Sequence, residues 1–498
     1  MRKIGYAALL AAVCFALIGA SAPAEPARRA LIITSDYFLS LEDMRPCAAN
    51  NGKAAEAVFN DEWSLKTQTL VMQDEINSHE ALEAAISQTF HAAREDDISY
   101  LYISTHGVLA EEPYLVLSDG IGEYHLTADA LAALLKPVKG TKVLIIDACH
   151  SGAFINKGSS TLAVSHPFTG PDYKVLTSAG ADEQSWFWHT DDSGGEALWG
   201  AGYFSEVLSL GLSSRGSFSA DLNSDGDITL SECHRYLLDN HGASTPRIYP
   251  QNDDFVLVRY NFDAFSKADP LPYGMINGIG LSESLLNLQD PLISFELTAL
   301  RPTKLAYRFI YQKDGRWDFE DAPLLYDTFE LGGDYGDEQG AVSPGRKTRS
   351  LLLNPQGEDS YGYALMQLFS LSEISPAIHF SRALAVPKMG GDPHMSLTTP
   401  DSFAPAFYEE IPIHLSHLSP LCLSLSIENE AGETIFRLAS RRATRPEQLK
   451  NPGSAFYWDG RKKDGTLAPE GQYRLKAIAH YPEQSYTAYS DYFTLPAP

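Results

Sequence analysis

The chain has 498 residues, too many for one hydrophobic core, so two to four domains are expected. Its 44% hydrophobic and 11% aromatic content suits folded domains and argues against a disordered chain. A net charge of −26 with no basic tract argues against nucleic-acid binding, which needs clustered Lys and Arg; an acidic surface serves solubility and favours basic substrates or divalent cations.

Residues 1–24 read as an export signal. Arg2 and Lys3 form the positive region, Tyr6 to Ile18 the apolar stretch, and Ala22-Pro23-Ala24 a small-residue cleavage site. The expected location is therefore secreted, periplasmic or at the cell surface. No later apolar run is long enough to span a bilayer. The remaining cysteines, Cys47, Cys149, Cys233 and Cys422, are too few and too scattered for a disulfide framework.

Residues 28–260 alternate short apolar strands with helical stretches. Strands are expected at Ala30–Thr34, Thr67–Met72, Ile98–Ser104, Lys142–Asp147 and Lys174–Ser178. Helices are expected at Lys53–Asn60, His79–His91, Ala128–Leu135 and Leu198–Leu210. This is an α/β pattern with a mostly parallel sheet flanked by helices. Such sheets bind ligands at the carboxyl ends of their strands, where His106, Cys149 and Ser178 fall.

Two of those strand ends carry chemistry. Ile98-Ser-Tyr-Leu-Tyr-Ile103 leads into Ser104-Thr105-His106-Gly107. Lys142-Val-Leu-Ile-Ile146 leads into Asp147-Ala148-Cys149-His150-Ser151-Gly152. A cysteine attacks a carbonyl as thiolate and needs a base, and an imidazole serves near neutral pH and then protonates the leaving amine. Gly107 lets the backbone approach a scissile carbonyl, and its N–H with that of Cys149 makes a candidate oxyanion hole.

These paired motifs resemble the caspase-like cysteine peptidases, which include caspases, metacaspases and legumains. The resemblance covers residues 28–260, and the separation of His106 and Cys149 is close to the roughly 50 residues seen in caspases. It implies a cysteine endopeptidase with a Cys149–His106 dyad, with His150 pointing away. In metacaspases the acid two residues before the nucleophile lines the pocket for the side chain before the cut; here it is Asp147, which implies cleavage after Arg or Lys, with Asn second. Metacaspases place a second acid near the first helix, where this chain has Asn50. The stretch Leu176 to Trp186 resembles the legumain segment after the nucleophile strand and implies Ser178 and Asp182 as further pocket residues. The alternative is a non-catalytic surface or adhesive protein built on the same scaffold, because fold alone does not fix function.

Residues 221–232 match the EF-hand pattern at every specified position. Asp221, Asn223 and Asp225 offer side-chain oxygens, Asp227 its carbonyl, Thr229 a direct or water-mediated oxygen, and Glu232 two carboxylate oxygens, a hard donor set suited to Ca2+. The loop stands alone, which points to a structural ion rather than a sensor.

Beyond residue 265 the helical patterns give way to alternating segments such as Leu292–Thr298 and Leu305–Tyr311, which suggest β-sandwich domains. Residues 265–395 form a β-rich region with no readable motif. Residues 400–498 contain Trp458-Asp459-Gly460-Arg461 and Pro469 to Tyr473, and resemble the immunoglobulin-like module of flagellar hook-capping proteins. Trp458 is expected in its core. The expected partners are a protein or peptide substrate and, through the C-terminal domains, the cell envelope.

Overall fold

A computed structural model describes residues 26–158, 166–185, 187–191, 197–240 and 244–268, and shorter stretches between 276 and 497. The export segment 1–24 lies outside the described residues.

In chain order the first half runs β1 (Arg28–Thr34), α1 (Cys47–Phe59), β2 (Gln68–Gln73), α2 (His79–Phe90), β3 (Ile98–Ser104), β4 (His106–Val108), β5 (Tyr114–Ser118), β6 (Glu123–Thr127), α3 (Ala128–Leu135) and β7 (Thr141–Asp147). It continues with β8 (Tyr173–Thr177), β9 (Phe187–Asp191), β10 (Ala197–Gly202), α4 (Tyr203–Leu212), β11 (Asp227–Thr229), α5 (Leu230–Asn240), β12 (Arg247–Tyr249), β13 (Val256–Arg259) and α6 (Phe262–Lys267). Six strands form one sheet in the order β12-β8-β7-β3-β1-β2. All its pairs are parallel except β12 with β8.

The unbroken apolar runs of β1, β3 and β7 reflect burial on both faces. Ala30, Ile32, Tyr100, Tyr102, Val143 and Ile145 point to one side, where α1, α4 and α5 pack. Leu31, Ile33, Leu101, Ile103, Leu144 and Ile146 point to the other, against α2 and α3. Ser78 and Thr127 cap α2 and α3 by accepting from Ala81 N and Ala130 N.

Several elements differ from the sequence expectation, among them α1, which begins at Cys47 rather than Lys53. The helix expected from Leu198 begins only at Tyr203, because residues 197–202 pair antiparallel with β9. Gly200 and Gly202 in that stretch have low helix propensity, which outweighs the apolar spacing. The three-stranded sheet β4-β5-β6, inserted between β3 and α3, was not expected at all, and it begins at His106.

The second half is β-rich. Strands Ile276–Leu281, Leu292–Ala299 and Gly345–Leu352 form one sheet, and Lys304–Lys313, Gly362–Leu371 and Pro376–Val386 form the centre of another. Near the C-terminus Leu421–Asn429 lies between Thr434–Thr444 and Gly471–His480. Trp458 sits in that core, 1% exposed, within ring contact of Phe403, Tyr473 and Phe493. The two halves touch: Glu410 accepts from Gly158 N at 2.5 Å and pairs with Arg247 at 3.5 Å. Among the described residues no helix is long and apolar enough to cross a membrane.

Candidate active site

The register of β3 and β7 sets the site. Ser104 pairs with Asp147, and Thr105 N–H extends the ladder to Asp147 O at 3.2 Å. His106 and Cys149 each stand two residues beyond that last pair, so both emerge at the same sheet edge. Gly107 lies flat against the nucleophile: a Cβ built on it would overlap the Cys149 carbonyl oxygen.

His106 is held from two sides. Its ring packs on Phe38 with centroids 4.6 Å apart, and its Nε2 lies 2.8 Å from the Glu42 carbonyl oxygen. A carbonyl only accepts, so the neutral ring carries its proton on Nε2 and presents the lone pair of Nδ1. Burial pushes the His106 pKa below its ordinary 6.5, against the opposing pull of Glu42 and Glu123.

Cys149 follows β7 in a turn sewn to the segment after β8. Ser178 Oγ accepts from Ala148 N at 3.1 Å and lies 3.3 Å from Ala148 O. His150, in the left-handed region, donates its N–H to Glu183 O at 2.8 Å, and its Nδ1 meets Ala181 O at 2.9 Å, facing away from the thiol. Ser151 bonds Ala179 through its hydroxyl, and residues 151–155 form a single 3-10 turn. The Cys149 thiol donates to Ser185 O at 3.6 Å, and burial pushes its pKa up to about 11. Both shifts favour the uncharged groups, a thiol and a neutral imidazole, near neutral pH. If Cys149 and His106 act as nucleophile and base, proton transfer accompanies attack. Only neutral His106 would accept that proton, so activity would be present above its pKa and lost as pH falls through it. We expect the acid limb of kcat/KM to have its midpoint below pH 6.5 in a pH–rate profile; a midpoint above 6.5 would contradict this.

Asp147 is 4% exposed and ringed by small polar groups. It accepts from Ser205 Oγ at 2.5 Å, Ser185 Oγ at 2.9 Å and Asn51 Nδ2 at 3.4 Å. Asn51 also donates to Ser104 Oγ at 3.0 Å and accepts from Gly202 N at 2.7 Å. A Cβ on Gly202 would come within 2.6 Å of Asp147 Oδ2, so glycine keeps this space open. Burial raises the carboxyl pKa of Asp147, and among the described residues its hydrogen-bond partners are all neutral.

The other sequence candidates fall around this centre in different ways. Asn50 turns away: its Oδ1 accepts from Lys53 Nζ at 3.3 Å, and the neighbouring Asn51 is the residue that reaches Asp147. Ser178 is fully buried and braces the Cys149 turn rather than lining a pocket. Asp182 is half-buried, with its N–H on Gly158 O; burial lowers the pKa of the nearby His150, and the Ala181 carbonyl and the Asp182 charge oppose that shift. Glu42, Asn51, Ser185, Ser205 and Glu183 were not anticipated. For Asn51 a signal existed: Cys47, Asn51 and Ala55 fall four apart on the buried stripe of α1. Glu42 acts through its backbone carbonyl, for which sequence carries no signal.

The loop 221–232 is folded on itself. Asp221 accepts from Ser224 N at 2.7 Å, from Gly226 N at 3.0 Å and from the Tyr260 hydroxyl at 2.7 Å. Asn223 and Asp225 accept from the N–H groups two residues on. Gly226 has φ +89°, as the sharp turn requires. Asp227 turns its carboxylate out to Arg259, which leaves only its carbonyl for the loop interior. Glu232 bonds Thr229 N at 3.0 Å and Thr229 Oγ1 at 2.9 Å. β11, inside the loop, pairs Ile228 with Val258 of β13. Among the described residues no three His, Cys, Asp or Glu side chains converge as a metal cluster. The side-chain donors of the loop are nonetheless all oxygen, the chemistry a hard cation takes.

Comparison with known proteins adds a family. Residues 27–258 match the family model described as Caspase domain. No curated protein sequence matches the chain significantly. Similar solved structures include a protein from Geobacter sulfurreducens at 15% identity and TM-score 0.31, covering 45% of this chain and 93% of that one. Pro-sf-caspase-1 is similar at 16% identity and TM-score 0.28, covering 45% and 87%. Dimeric latent PorU from Porphyromonas gingivalis shows 14% identity and TM-score 0.18, covering 51% and 22%. The family match and the mostly parallel six-stranded sheet together make residues 27–258 a caspase-like α/β domain, a scaffold of cysteine-type peptidases, followed by additional β-rich sheets.

Proposed function

We propose that the chain is an exported cysteine endopeptidase that hydrolyses peptide bonds with Cys149 as nucleophile and His106 as its base. The observation that carries this reading is the shared sheet edge, with His106 Nε2 fixed on Glu42 O so that Nδ1 is the available base. Nδ1 takes the thiol proton as sulfur attacks the carbonyl carbon. The N–H groups of Gly107 and Cys149 receive the developing oxyanion. The imidazolium then gives its proton to the departing amine, and a water activated by the same ring releases the acyl group.

For the residue before the cut, Asp147 favours Arg or Lys, with Asn second. A buried carboxylate with only neutral partners is costly, and an entering guanidinium or ammonium supplies the missing charge. The direct test assays the mature chain on reporter peptides with Arg, Lys, Asn or Asp before the cut. Turnover fastest after Arg or Lys supports the reading; no turnover of any peptide overturns it and favours the scaffold alternative.

Residues 221–232 would hold one Ca2+ through Asp221, Asn223, Asp225, the Asp227 carbonyl, Thr229 and Glu232, and the ion would fix the turn that joins α4 to α5. Calcium well above its Kd should raise Tm by about 5 °C or more over chelated protein in a thermal melt. Glu232→Gln should abolish that response. Identical melts with and without chelator would remove calcium from the account.

A further inference from the structure

Ten large hydrophobic side chains stand exposed among the described residues. Four of them, Tyr37, Leu39, Leu41 and Ile121, lie on two short segments, residues 36–44 and the β5–β6 turn, and the first of these holds the His106 ring through the Glu42 carbonyl. Single exposed apolar residues are ordinary, but a cluster of this kind marks a binding surface. Leu39 is 60% exposed and Ile121 86%, so neither belongs to the core beneath.

Both segments are held firmly in this arrangement. In residues 36–44, Asp36 N donates to Asp74 Oδ1 at 2.7 Å, Phe38 N to Asp43 Oδ1 at 3.1 Å, and Leu39 N and Ser40 N to Glu123 Oε1 at 2.5 and 2.9 Å. The loop's polar backbone thus faces inward and its leucines outward. In the β5–β6 turn, Asp119 accepts from Ile121 N at 2.8 Å and Gly122 N at 2.7 Å, which holds Ile121 out. The two segments touch, since a Cβ on Gly120 would lie 3.1 Å from Tyr37 Cβ. Beneath them Phe38 and Met44 pack on Val116 as a small separate core. Glu42, the residue that fixes His106, belongs to the same loop.

The chemistry names the occupant. After attack the acyl half of the substrate stays on Cys149 Sγ, while the amine half leaves where His106 protonates it. The chain beyond the cut must therefore pass along the His106 side, where this surface begins. On the reading of the chain as an endopeptidase, we propose that Tyr37, Leu39, Leu41 and Ile121 bind the substrate segment C-terminal to the cleaved bond and select apolar side chains there.

The test uses the full mature chain and three substrates sharing the residue before the cut that the enzyme turns over fastest. One is an aminocoumarin amide with no residues beyond the cut. Two are internally quenched peptides continuing with Leu-Ile-Leu or Ser-Asn-Ser. The expected kcat/KM favours the apolar peptide by about tenfold. The triple variant Leu39→Ser, Leu41→Ser, Ile121→Ser, checked for an unchanged melt, should bring the ratio near one. Tyr489→Ser, at an exposed position on the C-terminal sheet, should leave it intact. Hydrolysis of the aminocoumarin amide with a wild-type ratio of one would overturn the proposal and leave the peptidase standing. Hydrolysis of none of the three would overturn both. Binding to neutral lipid vesicles that the triple variant loses, with the peptide ratio unchanged, would make the surface a membrane contact and would also overturn the proposal.

Discussion

Cys149→Ala is expected to lower kcat/KM on any peptide the wild type cleaves by about four orders of magnitude or more, with the fold retained. Among the described residues the thiol is the nucleophile placed at the edge where His106 would present its base, and its neighbours are otherwise engaged. His150, adjacent in sequence, is committed to Ala181 O and Glu183 O by its ring and its N–H. Ser151 is fully buried and bonded to Ala179. The stability change should stay within about 1 kcal/mol, since the replacement removes one sulfur and the turn keeps its backbone bonds. His106→Ala should fall nearly as far, and the double variant no further, because the two act as one unit. Steady-state kinetics on the three variants and a denaturant melt of each check this. Full activity in Cys149→Ala would make the domain a scaffold.

Gly107→Ala should be nearly as damaging for a different reason. Its Cβ would overlap Cys149 O and lie 2.8 Å from the Cys149 carbonyl carbon, and both atoms are backbone. No side-chain rotation relieves that overlap, so the strand of His106 and the nucleophile turn must separate. Displacements of about 1 Å at a reacting centre cost roughly a hundredfold, and loss of one oxyanion donor costs roughly a hundred- to a thousandfold. We expect kcat/KM to drop by about a thousandfold, with stability reduced by about 1–3 kcal/mol. A variant with near-normal kcat/KM would show that the close approach plays no part in the reaction.

Much of this site was legible in the sequence because the relevant interactions are local or periodic. The apolar runs before His106 and Cys149 identify strands buried on both faces, and the parallel register brings their ends together. The 221–232 stretch is a fixed-spacing motif, so its expectation of Ca2+ needs no knowledge of the fold and stands as a proposal. What stayed hidden depends on contacts distant in sequence. Asn51 and Ser205 meet Asp147 only after α1 and α4 pack on the same sheet face. Glu42 meets His106, and Ser185 meets Cys149, through carbonyl oxygens, which every residue carries. The family motif points to Asn50, whereas the helical period of α1 buries Asn51 beside Asp147. The helix expected from Leu198 shows the converse error, in which an apolar spacing was read without regard to its glycines.

The pairing of β11 with β13 also decides where this domain can be cut. The family match stops at residue 258, one position short of the end of β13. Tyr260 stacks on Phe218 at 3.9 Å and donates to Asp221, and Phe265 wedges edge-on between Trp63, Phe218 and Tyr260. A fragment ending at 258 would leave the loop's first acid without its hydroxyl partner and strip Tyr260 and Phe265 from the rings of Phe218 and Trp63. The excisable unit therefore extends through α6 to Lys267, and the 221–232 loop works as the clasp that fastens the end of the domain to its body.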